Sequence, residues 1–169
     1  MPLFVRSQHH RHRTWSYNEI SRRYTDEKLQ FYIPKQYRTQ HKSNRQASNA
    51  DELVNPILRR YHPACSHPLE IFANKMIEEH SNEAVRLFDD LLTSGVCREQ
   101  ARMVLPQNLY TEYYGTVNLN NLLKFIDLRS HEGAQWEIQR VAEACLEIAT
   151  ELFPITVQSY RDIRHAKST

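Results

Sequence analysis

Residues 11–21 read Arg-His-Arg-Thr-Trp-Ser-Tyr-Asn-Glu-Ile-Ser, and Arg22, Arg23 and Tyr24 follow directly. Arginines, a histidine, an acid and hydroxyls crowd this stretch, which makes it too polar for a core strand. It suits a phosphorylated, hydrogen-bond-rich ligand, because guanidinium groups bind phosphate oxygens through paired N–H donors. A basic edge strand that resists aggregation accounts for the same composition, and composition alone leaves the two readings open. Upstream, residues 2–8 are apolar, carry Pro2 near their start, and read as a strand. Arg11 and Arg13, at alternate positions, fall on one face of its continuation.

The charge of the whole chain sharpens the picture. Net charge is only +2, yet residues 1–60 hold 12 Lys/Arg against 5 Asp/Glu, and residues 61–169 hold 10 against 15. A basic block points to an anionic partner, a nucleotide phosphate or a nucleic-acid backbone, or else to a solvated basic face. With 169 residues, 40% of them hydrophobic, the chain suffices for one domain with a core and is short for two. Its apolar runs are too short to span a bilayer, and the N-terminus lacks a secretory signal. Three cysteines, Cys65, Cys97 and Cys145, at scattered spacing fit reduced thiols in a cytoplasmic protein.

Further along, residues 34–50 lack apolar periodicity and read as a loop. Residues 50–60 read as a short helix with Leu53, Ile57 and Leu58 on one side. A long helix is expected over 68–94, where Leu69, Phe72, Ala73, Met76, Ile77, Ala84, Phe88 and Leu91 recur at three- and four-residue steps. Ser66 and Pro68 suit its start and Gly95 its stop. A short helix from Arg98 to Met103 ends before Pro106. Residues 107–117, rich in aromatic and β-branched types, read as a strand. Asn118 caps a helix to about Leu128, and a last long helix covers 132–152. The sum is an α+β domain, mixed α/β with a mainly antiparallel sheet flanked by long helices. No Gly-x-Gly-x-x-Gly or P-loop occurs, so a Rossmann or P-loop site is not supported.

The motif Arg-His-Arg, seven residues, then Ser marks the flavin-dependent thymidylate synthases, and residues 11–21 carry it whole. The stretch ARMVLPQNLYTEYYGTVN at 101–118 resembles the family's second recognisable block, and LRSHEGAQWEIQRVAE at 128–143 is similar to its third. The blocks fall in the family's order, and the likeness covers roughly residues 3–155. Met1 stands close to the family's Arg-His-Arg segment, and the resemblance leads to the expectation that the family's preceding segment is lacking. The resemblance implies conversion of dUMP to dTMP with FAD, NADPH and methylene-tetrahydrofolate, in a homotetramer whose active sites are shared between subunits.

Residue by residue, the resemblance implies flavin contacts from Arg11, His12, Arg13, Asn118, Asn120 and Lys124, with Arg11 also near the nucleotide. It places Glu19 between flavin and dUMP, Gln8 on dUMP, and Ser21, Arg22 and Arg23 around the dUMP phosphate. Arg102 matches a further dUMP contact from a neighbouring subunit. Arg129 matches the arginine that binds the uracil ring and favours its N3-deprotonated form, the catalytic role. Family members often place a histidine directly before the Ala-Gln pair. This chain has Gly133 there and His131 two residues earlier.

The chemistry agrees. Negative charge at N3 and O4 of uracil raises electron density at C5, and a fixed, permanently protonated guanidinium favours that charge. The redox work belongs to the flavin, and the protein orients it. The resemblance implies that no cysteine nucleophile is needed, and none of the three cysteines lies in an Arg/His-rich segment that would make a thiolate. Cys145 reads as a buried, inert thiol. His62, Cys65 and His67 could hold zinc, but a fourth ligand at proper spacing is missing, and no metal is expected. Two alternatives stand beside the enzyme: a catalytically impaired, nucleotide-binding remnant of the family, and a basic nucleic-acid-binding module, which the clustered motif makes the weaker.

Overall fold

The computed structural model describes residues 1–20, 29–45, 47–61 and 67–168. In chain order the elements are α1 (Leu3–His9), β1 (Ser16–Glu19), β2 (Tyr37–Gln40), β3 (Ser48–Val54), β4 (Ile57–Arg60), β5 (Leu69–Phe72), α2 (Ala73–Thr93), α3 (Arg98–Ala101), a 3-10 turn (Arg102–Val104), β6 (Tyr113–Thr116), α4 (Leu119–Arg129), α5 (Trp136–Leu152) and α6 (Pro154–Ser168). The α+β class holds, with long helices and short strands. Among the described residues the strands form three two-stranded pairs, β1 with β6, β2 with β3 and β4 with β5. In the last pair the strands run antiparallel, from Ile57 opposite Phe72 to Arg60 opposite Leu69.

The segment at 2–8 is a helix, not the expected strand. An apolar run this short has no readable period. Its surroundings decide: the orphan amides of the first turn find carbonyls, Leu3 N–H on Leu109 and Phe4 N–H on Gln107. The Ser7 hydroxyl donates back to the Leu3 carbonyl at 2.8 Å, and Val5 is 1% exposed. Arg11 and Arg13 accordingly sit on the turn after α1 rather than on a strand face. That turn is closed by His12 N–H on the His9 carbonyl and Trp15 N–H on the His12 carbonyl.

Residues 34–50 contain β2 and the start of β3 instead of the expected loop, and 50–60 contain strands instead of a helix. The β2–β3 pair is largely polar and mostly exposed, with its apolar Leu53 and Val54 adjacent at the end of β3, so no alternation betrays it. Side chains hold it: Thr39 donates to Glu52 at 2.7 Å and Asn49 donates to Thr39 at 2.9 Å. Pro56 interrupts any helix through 50–60, and its carbonyl instead receives Ala73 N–H at 2.8 Å. The expected helix over 68–94 therefore starts at Ala73, since Leu69–Phe72 pairs as β5. Ser66 lies outside the described residues.

The C-terminal end of α2 follows expectation. Gly95 has φ +89°, and Gly95 N–H on the Leu92 carbonyl with Val96 N–H on that of Leu91 completes a Schellman cap. Residues 98–104 are helical as expected. Of 107–117 only Tyr113–Thr116 is strand, while Leu109 and Tyr110 make single bridges to Phe31 and Pro2. Asn118 caps α4, its side chain accepting Asn121 N–H at 2.9 Å. The last expected helix starts later, at Trp136, and α6 follows it with Pro154 at the first helical position.

Backbone proximity divides the chain into two compact units. The first comprises residues 1–7, 18–39 and 49–114 and buries Val5, Ala73, Ala84, Phe88, Ala101 and Leu109. The second comprises 8–17, 40–48 and 115–169 and buries Leu123, Phe125, Ile126, Ile138, Ala142, Ala149 and Val157. Among the described residues, no helix is long and apolar enough to cross a membrane.

Candidate active site

In the second unit, the turn after α1 packs on α4. His9 is 4% exposed, with its ring 4.4 Å edge-on from Trp15 and 4.8 Å from Phe125. Burial pushes its pKa down to about 4, with His12, His10 and Arg129 adding repulsion. The Tyr17 hydroxyl donates to the His9 carbonyl at 2.7 Å and the His12 carbonyl at 3.2 Å. It thereby pins both ends of the turn that carries His12.

His12 meets the last turn of α4. Arg129 Nε donates to His12 Nε2 at 3.0 Å, which makes the imidazole a neutral acceptor there. Burial first and Arg129 second lower the His12 pKa, in keeping with that role. Burial, then Arg11, lowers the affinity of Arg129 for its proton, but an arginine stays charged. With Nε engaged, the two terminal nitrogens of Arg129 have no partner among the described residues and are open to a ligand. Gln8 donates to Gln135 at the start of α5, so it too is held in this unit.

Arg129 lines a cavity of about 770 Å³ with Lys124, Asp127, His131, Gly133 and Tyr160. A guanidinium, an ammonium and an imidazole around one space make a donor-rich site for an acceptor-rich ligand. Asp127 accepts the Tyr160 hydroxyl. Asn118 and Asn120 open α4, and Asn118 spends its side-chain oxygen on the cap. Arg11 and Arg13 are exposed on the turn.

In the first unit a smaller cavity, about 280 Å³, is lined by Leu3, Arg6, Glu19, Ile20, Arg102, Leu105, Leu109 and Thr111. Glu19 Oε1 accepts the Thr111 hydroxyl at 2.8 Å and lies 3.4 Å from Arg6 Nε. Arg102 is anchored through Nε to the Glu99 carbonyl at 3.2 Å. It lines this cavity together with Glu19. Arg6 and Thr111 are additions to which the sequence assigns no role. The position of Arg6 five residues before Arg11 is the available signal.

Ser21, Arg22 and Arg23, and likewise His62 and Cys65, lie outside the described residues. Cys145 is half-buried and burial raises its pKa, which keeps it a thiol. Trp136 stacks under the Arg140 guanidinium, 5.2 Å from the ring centre.

The family model of thymidylate synthase complementing protein (Thy1) matches residues 1–155. A flavin-dependent thymidylate synthase of Thermus thermophilus is 41% identical over 164 residues, covering 95% of this chain and 54% of that protein. One of Aquifex aeolicus is 43% identical over 148 residues, covering 87% of this chain and 42% of the relative. The chain thus spans about half the length of the curated relatives it matches. Among solved structures, the UMP/dUMP methylase PolB from Streptomyces cacaoi bound with 5-Br dUMP superposes with a TM-score of 0.69 at 28% identity, over 95% of this chain and 67% of that one. The same enzyme bound with 5-Br UMP gives 0.68. With that match and the clustered Arg-His-Arg turn and Arg129, the chain belongs to the Thy1 family, that of the flavin-dependent thymidylate synthases.

Proposed function

We propose that the chain carries out reductive methylation of dUMP to dTMP, with methylene-tetrahydrofolate as carbon donor, FAD as cofactor and NADPH as reductant. The observation that carries this reading is the Arg129–His12 pair at the donor-rich cavity. Its donors fit an acceptor-rich heteroaromatic ring. FAD, when bound, supplies the redox chemistry. The chain's own work is binding and polarisation. Arg129 presents its terminal nitrogens to the uracil N3 and a neighbouring carbonyl, favours the N3-deprotonated ring, and so enriches C5 for attack on the one-carbon unit. His12 fixes the plane of that guanidinium and, with Arg11, Arg13, Asn118, Asn120 and Lys124, contacts the flavin. Glu19, Arg102 and Gln8 contact dUMP, and Ser21, Arg22 and Arg23 hold its phosphate.

In this reading residues 1–169 act as one catalytic domain of a cytoplasmic homotetramer with shared active sites, and the basic first third serves a nucleotide rather than a nucleic acid. The test is product formation: folded, FAD-loaded protein given dUMP, NADPH and methylene-tetrahydrofolate produces dTMP and oxidises NADPH in a dUMP-dependent way. Folded, FAD-loaded protein that makes no dTMP would overturn the enzyme reading and favour a binding remnant.

A further inference from the structure

The loop between α4 and α5, residues 130–135, is held more tightly than a connector requires. Gln139, one turn into α5, directs the two N–H groups of its side-chain amide at three loop carbonyls, one N–H being shared: Nε2 lies 3.0 Å from that of His131, 3.3 Å from that of Glu132 and 2.9 Å from that of Ala134. Within the loop, Gly133 N–H donates to His131 Nδ1 at 3.0 Å. An imidazole that accepts at Nδ1 carries its proton on Nε2. Gly133 makes room for the ring, since a Cβ at that position would lie 3.3 Å from Nδ1. The loop is therefore built to fix both the position and the tautomer of one exposed histidine.

His131 lines the same cavity as Arg129 and Lys124. Fixing a tautomer matters where a directional donor is needed, and holding it beforehand lowers the ordering cost of binding. We propose that His131 is a ligand-binding residue of this cavity, donating from Nε2 to a ring carbonyl of the heteroaromatic ligand beside Arg129, with Gln139 as its positioning residue. The inference rests on the nucleotide and flavin reading above. A pyrimidine and an isoalloxazine both offer such a carbonyl, and binding measurements separate them.

The experiment compares wild type with His131→Ala in calorimetric titrations with FAD, and with dUMP added to FAD-loaded protein. Loss of the donor weakens one ligand about tenfold or more, because its carbonyl is left unpaired. Weakened dUMP binding assigns the pyrimidine carbonyl, and weakened FAD binding assigns the flavin's. Free imidazole restores part of the loss in His131→Ala, a rescue that a purely structural histidine would not give. Gln139→Met, which keeps the imidazole but unclasps its loop, weakens the same ligand, and it supplies the measurement if His131→Ala does not fold. Affinities for both ligands within about twofold of wild type in His131→Ala, or in Gln139→Met where that stands in, would overturn the proposal. Wild-type protein that binds neither ligand overturns the nucleotide reading itself, and the inference with it.

Discussion

Arg129 and His12 illustrate how the chain builds a polar site from groups that resist burial. Each loses hydration, and each is compensated by the other through one N–H···N bond. Replacing Arg129 by Lys keeps the charge but removes both the Nε donor and the fork. We expect dUMP-dependent turnover to fall by about a hundredfold or more, with FAD binding retained, in steady-state assays and flavin titrations. The buried histidines make a second prediction. Folding lowers the pKa of His9 from 6.5 to about 4 and also lowers that of His12. Between those two values the unfolded chain binds more protons than the folded one, so stability is present above the unfolded value and is lost as pH falls through that window. For His9 alone this is roughly 3 kcal/mol. Urea unfolding across the range should show the fall, and His9→Phe should flatten it; a pH-independent wild type contradicts the assignment. The His12–Arg129 contact spans 117 positions, and local pattern carries no information at that distance. Their separate importance was legible only through the family motif.

At the scale of elements, legibility tracked length and amphipathicity. The helices α2, α4 and α5 are legible through their period, because each buries one stripe, and the Gly95 stop of α2 and the Asn118 cap of α4 are legible too. α1 is too short for a period, and its amides are satisfied by residues near 108. The β2–β3 pair is largely polar and lacks alternation, and the end of β3 and the start of β4 are hidden by an accidental helical spacing of Leu53, Ile57 and Leu58. The caps are testable. Gly95→Ala forces an alanine to φ +89° with nothing within 4 Å to clash, so the cost is backbone strain alone, about 1 kcal/mol. Asn118→Ala removes the acceptor for Asn121 N–H and costs about 1 kcal/mol, whereas Asn118→Asp keeps the cap. Urea midpoints at unchanged slope measure both. A larger loss of FAD affinity than of stability in Asn118→Ala would support the flavin contact proposed for it.

At the scale of the whole molecule, apolar side chains remain uncovered in each unit. In the first, Leu53, Ile57, Leu69 and Phe72 are each about half exposed; in the second, Ile148, Leu152 and Ile155 are more so. Ile148 and Leu152 lie on the stripe that helical period assigns to the interior, a sign that the face is made for another surface. We expect light scattering to give four times the 20.1 kDa chain mass, in line with the proposed homotetramer; a monomer contradicts it. Sequence alone could not tell such a face from a core face, because both bury the same residue types. The most direct test of the central claim, that this chain forms a flavin and dUMP site, is the visible absorption spectrum of purified protein with added FAD, recorded before and after dUMP. Protein that forms the site gives a bound-flavin spectrum that shifts on adding dUMP. A spectrum of free FAD that does not respond to dUMP would contradict it.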